Sequence, residues 1–115
     1  MNVLIHHNKW RWSESYCIIM NDGLGIVSLQ IDKSEPHAGC IYNLSVHISS
    51  RRQGIGNELL KYVENFAKSQ NLKEVYLTAD KGSFVYDWYI RHGFEPDKSR
   101  QNEEDEYYKC LIKKL

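Results

Sequence analysis

The sequence predicts an α+β domain with a mixed central sheet and the element order β-β-β-α-β-α-β-β. The first third of the 115-residue chain is rich in β-forming residues with a turn between them. The apolar residues then switch to a helical period over 55–67, and further short elements follow. This length suits one hydrophobic core, and 42% hydrophobic with 26% charged residues is typical of a globular domain.

Two antiparallel strands are predicted near the start of the chain. Glu14–Asn21 is rich in β-forming residues, and Asn21-Asp22-Gly23 readily adopts the positive φ angles of a tight turn. Gly25–Ile31 alternates between two sheet faces, so the two segments predict a hairpin. Val3–His7 could add a short first strand.

A strand–helix–strand segment forms the centre of the predicted fold. Cys40–Val46 predicts a third strand. In Ile55–Ala67 the apolar residues lie on one helical stripe, and Asn71 suits the C-terminal cap. Glu74–Ala79 predicts the next strand. We expect this strand–helix–strand segment to form a right-handed parallel crossover.

The remaining elements are a short helix and two strands. Ser83 can cap the N-terminus of a helix over Phe84–His92, and Gly93 ends it. Phe94–Asp97 and Tyr107–Lys113 predict the last strands. The charged stretch between them, DKSRQNEEDE at 97–106, predicts a solvated loop that could attract a cationic acceptor.

Net charge, apolar run length and cysteine spacing argue against several classes of protein. Fifteen basic residues balance fifteen acidic ones, which argues against nucleic-acid binding, although Arg51, Arg52 and Lys61 could form a basic patch. The longest apolar run, Tyr16–Met20, is too short for a membrane span, and a signal peptide is not predicted. Three cysteines without a CxxC pair predict reduced thiols in a cytoplasmic protein without a metal site.

The most informative segment runs from Val46 to Asn57. A strand ends, a polar loop carries Gly54 and Gly56, and a long helix begins. Unpaired N–H groups at a helix start attract anions, and glycines allow close approach. A Walker A loop needs Lys and Ser/Thr after its last glycine, and a Rossmann fingerprint needs glycine directly after the strand, so neither fits. A glycine-rich helix start without a ligand remains the alternative.

Two motifs together resemble a known family. Arg-x-x-Gly-x-Gly at 51–56, entering a helix, resembles the pyrophosphate loop of the GNAT N-acetyltransferases, which bind acetyl-coenzyme A. WYIRHGF at 88–94 resembles the second family signature, a helix ending in Tyr followed by Gly-Phe. The motifs stand in the family's order and span about half the chain, so the sequence resembles a small, N-terminally shortened member with a GNAT-like sheet.

The resemblance implies a set of site residues. Tyr89 would hydrogen-bond the thioester sulfur and protonate the leaving thiolate. Without the resemblance, the residue pattern favours a structural role for Tyr89 as an aromatic side chain in the core. The main chain of one strand end would hold the pantetheine arm: Leu44, Ser45 and Val46. The loop and helix start would hold the pyrophosphate: Arg51, Arg52, Gln53, Gly54, Ile55, Gly56 and Asn57. Two further residues, Ser83 and Tyr86, would line the cofactor.

The sequence departs from the family pattern at two site positions. Cys40 stands where some members carry a glutamate general base, and the alternatives to it are His47, His37 and Glu35. Gly82 stands near the position at which many members carry an asparagine that touches the cofactor.

A third departure is the short N-terminal part. Only 39 residues precede Cys40, which leaves no room for the two helices that usually wall the acceptor site. The acceptor side is therefore expected to be open or completed by a partner, and Trp10 and Trp12 are candidate contacts. Tyr107–Lys113 is a candidate edge strand for pairing into a homodimer.

The function implied by the resemblance is acetyl-CoA-dependent N-acetyl transfer to an amine-bearing acceptor. The acceptor would be a primary amine of a protein, a peptide or a small molecule, and it would attack the thioester directly. A catalytically weak or silent acyl-CoA-binding or protein-interaction module with the same fold is the alternative. A third hypothesis is nucleic-acid binding through the basic patch, which the zero net charge argues against.

Overall fold

A computed structural model describes residues 2–51, 54–101 and 104–115, without the side chain of Ser50. They form a seven-stranded mixed sheet with two α-helices. The strands are β1 (Val3–Lys9), β2 (Ser13–Met20), β3 (Gly25–Asp32), β4 (Ala38–Val46), β5 (Glu74–Asp80), β6 (Glu95–Pro96) and β7 (Tyr108–Lys114). The helices are α1 (Ile55–Ser69) and α2 (Phe84–Arg91).

The predicted element order is confirmed, and the optional first strand is present as β1. The sheet order is β1-β2-β3-β4-β5-β7-β6, with β4 and β5 parallel as expected of a crossover. The prediction that Tyr107–Lys113 is an edge strand is wrong. The two residues of β6 pair with Ile112 and Leu111, so β7 lies between β5 and β6. The long free edge of the sheet belongs to β1.

Local capping explains where the helices begin and end. Ser83 caps α2 by accepting a hydrogen bond from the Tyr86 N–H at 3.1 Å. Asn71 follows α1 with a φ of 65°, in the left-handed region that asparagine tolerates. The described residues form no helix that is both long and apolar enough to cross a membrane.

The core lies between α1 and one face of the sheet. Leu59, Val63 and Ala67 of α1 are fully buried against residues such as Val27 and Leu29 of β3. Burying each larger aliphatic side chain stabilises the fold by about 1.5–3 kcal/mol.

Both helices lie on the same face of the sheet. Lys113 of β7 connects them, because its Nζ lies 2.9 Å from Glu64 Oε1 of α1 and donates to the His92 carbonyl after α2 at 2.8 Å.

The opposite face carries no helix within the described ranges, and the 97–101 segment crosses part of it. The Arg100 guanidinium lies 4.1 Å from the centre of the Tyr76 ring, and Cys110 Sγ donates to the Arg100 carbonyl at 3.3 Å. Asp97 is 5% exposed. The prediction of a solvated loop is therefore wrong for Asp97 and Arg100, because Arg100 pairs with buried carboxylates.

Candidate functional site

The two central strands separate where the predicted site begins. β4 and β5 pair only from Ala38 opposite Glu74 to Cys40 opposite Tyr76. Beyond Cys40, β4 pairs with β3, whereas β5 pairs with β7. A wedge therefore opens between the parallel strands towards their carboxyl ends, and β4 main-chain groups facing it are available to an extended ligand.

A β-bulge in β4 accompanies this separation. Ile26 pairs with Ser45 and Ser28 pairs with Tyr42, so Asn43 and Leu44 together lie opposite one residue of β3. Asn43 has a φ of 55°, a left-handed conformation that asparagine adopts more readily than most residues. A bulge bends its strand, so this one turns the end of β4 away from β5.

Helix α1 begins at the mouth of the wedge. Its N-cap residue Gly54 has a φ of 78°, which a side chain would strain, and a Cβ there would meet nothing within 4 Å. The first backbone N–H groups of a helix have no partner within it, and they carry partial positive charge. This end of α1 thus presents amide donors to open space, as an anion site requires.

These elements enclose a cleft of about 450 Å³. The described lining residues include one cation, no carboxylate and several apolar side chains. They are Val46, Arg51, Gly54, Gly56, Asn57, Phe84, Val85, Trp88 and Tyr89. Phe84 and Val85 are 74% and 52% exposed, so the cleft offers an uncovered apolar wall as well as amide donors.

Arg51 has a structural partner at the cleft. Its Nε donates to the Val46 carbonyl at 3.2 Å, which ties the loop to the end of β4. Two further predicted pyrophosphate contacts, Arg52 and Gln53, lie outside the described residues.

Tyr89 is the buried member of the cleft wall. Its side chain is 6% exposed and packs edge-on against Trp88 and Phe94, with ring centres 5.0 and 5.2 Å away. Burial raises the pKa of Tyr89 to about 12. The hydroxyl is therefore neutral across the physiological range and can only donate or accept a hydrogen bond, not act as a resident anion.

A histidine brace joins the two helices that wall the cleft. His92 Nδ1 lies 2.7 Å from the Trp88 carbonyl, and His92 Nε2 lies 2.7 Å from Asn57 Oδ1. The rings of Trp88 and His92 also pack at 4.2 Å. The sequence interpretation missed this brace, and its only local signal is the four-residue spacing of Trp88 and His92 on one helix face.

Other residues of the predicted cofactor site do not line this cleft. Ser83 is occupied with capping α2, and its hydroxyl donates to the Asp80 carbonyl at 2.6 Å. Tyr86 lines a separate cleft of about 210 Å³ on the other side of α2. Ile55 is buried in the core. Leu44 and Ser45 lie in β4 beside the wedge, where their main chain rather than their side chains faces the opening.

Two of the candidate general bases have other roles or unsuitable surroundings. Burial raises the pKa of the Cys40 thiol, so the thiolate is disfavoured. His47 Nδ1 accepts from the Ser49 N–H at 3.2 Å and caps the short 3₁₀ turn Ile48–Ser50. The Nδ1 lone pair of His47 is thus already engaged in a local hydrogen bond.

The other two candidates lie at the wrong end of β4. Glu35 and His37 precede the strand, whereas the cleft lies at its end, about 26 Å away at 3.3 Å per residue. Their ligand atoms and those of Glu74 lie within 4.8 Å of one another, as metal ligands do. Arg100 and Lys114, however, already bond the two carboxylates.

A network around Arg100 holds this end of the sheet together. Its Nη1 donates to Asp97 Oδ2 at 2.7 Å, and its Nη2 donates to Glu35 Oε1 and to Glu74 Oε1. A hydrogen bond from Lys114, supported by Arg100, holds the pKa of Glu74 below its usual value. Burial raises the pKa of Asp97, but hydrogen bonds from Ser99 and Arg100 outweigh it and the net pKa is lowered.

Comparison with known proteins agrees with this arrangement. The model of the family described as "Acetyltransferase (GNAT) family" matches residues 3–94. No curated protein matches the chain.

Solved structures share the fold at low sequence identity. A GNAT family acetyltransferase from Elizabethkingia anophelis with acetyl-CoA bound is 18% identical, with a TM-score of 0.69 and 99% of each chain covered. The PaiA N-acetyltransferase from Thermoplasma acidophilum in complex with coenzyme A is 18% identical, with a TM-score of 0.70, covering 90% of this chain and 62% of that one. An IAA acetyltransferase from Bacillus cereus is 17% identical, with a TM-score of 0.69, covering 99% and 100%.

Proposed function

Because the chain belongs to the GNAT acetyltransferase family and has the fold of acyl-CoA-dependent acyltransferases, we propose that it transfers an acetyl group from acetyl-CoA to a primary amine. The observation that carries this proposal is the cleft in which the β4–β5 wedge, the start of α1 and Tyr89 meet. The acceptor is an amine of a protein, a peptide or a small molecule.

The cleft residues suit acetyl-CoA as co-substrate. The wedge exposes β4 main chain to an extended pantetheine arm, and the amide donors of α1 with Arg51 suit a pyrophosphate. Space beside Gly54 lets phosphate approach the backbone closely. Two of the similar structures hold acetyl-CoA or coenzyme A, which supports the same choice.

The proposed reaction needs one proton donor at the sulfur. The neutral amine attacks the thioester carbonyl carbon and forms the C–N bond while the C–S bond breaks. The Tyr89 hydroxyl gives its proton to the leaving sulfur, and the proton that the nitrogen loses returns through water to the Tyr89 oxygen. A pKa of about 12 against about 8.5 for a thiol makes a separate proton transfer uphill by about 5 kcal/mol. The proton must therefore move as the C–S bond breaks.

The attacking amine receives little help from the described cleft residues, which include neither a carboxylate nor a histidine. A lysine amine near pKa 10.4 would cost about 5 kcal/mol to deprotonate at pH 7, whereas an α-amine near 7.7–8 costs about 1 kcal/mol. The site therefore favours acceptors with weakly basic amines that lose a proton to water.

The pH dependence of the reaction follows from these two groups. Because its pKa is raised to about 12, Tyr89 stays protonated and keeps its donor below that pH. We expect kcat/KM with an α-amine acceptor to rise with pH to the amine pKa near 8 and then stay level to about pH 10, whereas kcat/KM with a lysine acceptor, whose pKa is near 10.4, should still be rising at about pH 10. Initial rates of thiol release with an α-amine peptide and with an N-blocked lysine peptide measure this. A fall between about pH 8 and 9 with both acceptors would contradict the role of Tyr89.

The co-substrate site is tested by thermal unfolding with acetyl-CoA. A ligand at a hundredfold excess over Kd stabilises by about 2.7 kcal/mol, or roughly 10 °C for a chain of this size. We expect Gly54→Glu to abolish the shift, because its carboxylate would enter the open space at the start of α1.

The matched control is Gly54→Asn, since asparagine tolerates the left-handed backbone without adding charge. It should keep most of the shift. A wild-type protein that millimolar acetyl-CoA does not stabilise would show that the glycine loop is only a helix start.

The second candidate function is an acyl-CoA-binding module that does not transfer the acetyl group. The observation that favours it is the lack of a base among the described cleft residues. This module would show the thermal shift but no acceptor-dependent thiol release over a panel of amines.

A further inference from the structure

Among the residues that the structure describes, the first strand leaves a long, regular sheet edge unpaired. β1 pairs with β2 in seven consecutive positions, from Val3 opposite Met20 to Lys9 opposite Glu14, without a bulge. Proteins protect such edges with prolines, bulges, charges or covering segments. β1 has no proline or bulge, its only lysine is at its last position, and Leu4 and Ile5 are 55% and 39% exposed.

The hydrogen bonds at both ends of β1 show which backbone groups are free. The Asn2 carbonyl accepts from the Asn21 N–H at 2.7 Å, and the Trp10 N–H donates to the Ser13 carbonyl at 2.8 Å. Antiparallel strands bond through alternate residues, so even-numbered residues of β1 face β2. The odd-numbered residues direct N–H and C=O outward: Val3, Ile5, His7 and Lys9.

We propose that this edge pairs with the same edge of a second copy, giving a homodimer with one continuous fourteen-stranded sheet. The outward groups are symmetric about His6, so a two-fold axis there places Val3 opposite Lys9 and Ile5 opposite His7 of the second copy. All four outward residues then bond at once. In this register the residue that faces its own counterpart is His6.

A second copy suits the edge for two further reasons. The same pairing brings Trp10, 54% exposed, beside the start of the other β1, where its indole gains apolar contact. The opposite end of the sheet is the two-residue β6, which offers no comparable edge. The proposal is independent of acetyl transfer.

A charge-reversal pair tests the predicted register. In Ile5→Lys/His7→Lys, like charges face each other twice across the two-fold axis, whereas in Ile5→Glu/His7→Lys opposite charges do. The two variants share the change at His7, which bonds Glu14 at 2.9 Å, so any local effect there is matched. Sedimentation velocity from micromolar to submillimolar protein should show a wild-type dimer, and the like-charged variant should dissociate at least about tenfold more readily than the oppositely charged one.

Amide exchange measured by NMR gives a second readout. The amides of Ile5 and His7 should exchange more slowly as protein concentration rises, while those of Leu4 and His6 should be protected at every concentration. A wild-type protein that stays monomeric overturns the proposal. So does a dimer in which the two variants behave alike or the amides of Ile5 and His7 stay unprotected, because another surface would then form it.

Discussion

Tyr89→Phe is expected to lower kcat about 100- to 10,000-fold, the range that a positioned general acid contributes. The substitution removes the proton donor but keeps the ring packed against Trp88 and Phe94. Because the acid acts as the C–S bond breaks, the loss belongs to the transition state, and KM for acetyl-CoA should change little. Steady-state rates at saturating acetyl-CoA, with thermal unfolding as the check on folding, measure the effect.

Tyr86→Phe is the matched control for this experiment. It removes a hydroxyl from the same helix, but Tyr86 lines the separate cleft behind α2, so kcat should stay near the wild-type value. If Tyr89→Phe instead raised KM and left kcat unchanged, the hydroxyl would be a binding group and another acid would have to protonate the sulfur.

Local patterns were sufficient to predict most of the fold. The Ser83 cap, the left-handed Asn71 and the apolar stripe of α1 depend on residues within one or two turns, and the structure has all three. The turn at Asn21–Gly23 is equally local. Each of these features is decided by backbone conformation near the residue, so a single sequence contains the information.

Features that depend on pairing between distant segments were not predictable in this way. Asn43 looks like an ordinary polar strand residue, and its bulge exists only through the register with β3. The sequence predicts the last strand at an edge of the sheet, because no local pattern shows that Glu95 and Pro96 pair with it. Arg100 bonds Glu35, which lies 65 residues away in the sequence. Because local sequence does not show this partner, the charged segment is predicted to be a solvated loop.

The same distinction between local and long-range features applies to the candidate site. The loop and Tyr89 come from motif spacing, and the structure brings Arg51, Gly54, Gly56, Asn57 and Tyr89 to one cleft. The candidate general bases, in contrast, are predicted only from their positions in the sequence at or near Cys40. Burial and hydrogen bonding are properties of the folded environment. Burial raises the pKa of the Cys40 thiol, and His47 Nδ1 is engaged in capping the 3₁₀ turn that follows it.

Arg100→Met is expected to destabilise the protein by about 3 kcal/mol, because it leaves the buried Asp97 without its cation and Glu74 with Lys114 alone. The side chain of Asp97 is 4% exposed and that of Glu74 is 10% exposed, so water cannot replace the guanidinium. Methionine keeps apolar contact with the Tyr76 ring, so the loss reports mainly on charge and hydrogen bonding. Lys98→Met removes a cation from an exposed position in the same segment and should change stability by less than about 0.5 kcal/mol.

The pH dependence of this loss separates charge from packing. The carboxyl pKa values of Asp97 and Glu74 are lowered in the folded protein, so their contribution is present above the unfolded values near pH 4 and is lost as pH falls through the folded values. The difference in unfolding free energy between wild type and Arg100→Met should therefore be largest at neutral pH and shrink below about pH 4. Urea unfolding at several pH values measures it. A difference that stays constant into acid would mean that Arg100 stabilises the sheet through its stacking on Tyr76, and that the carboxylates beneath it are held by Ser99 and Lys114 alone.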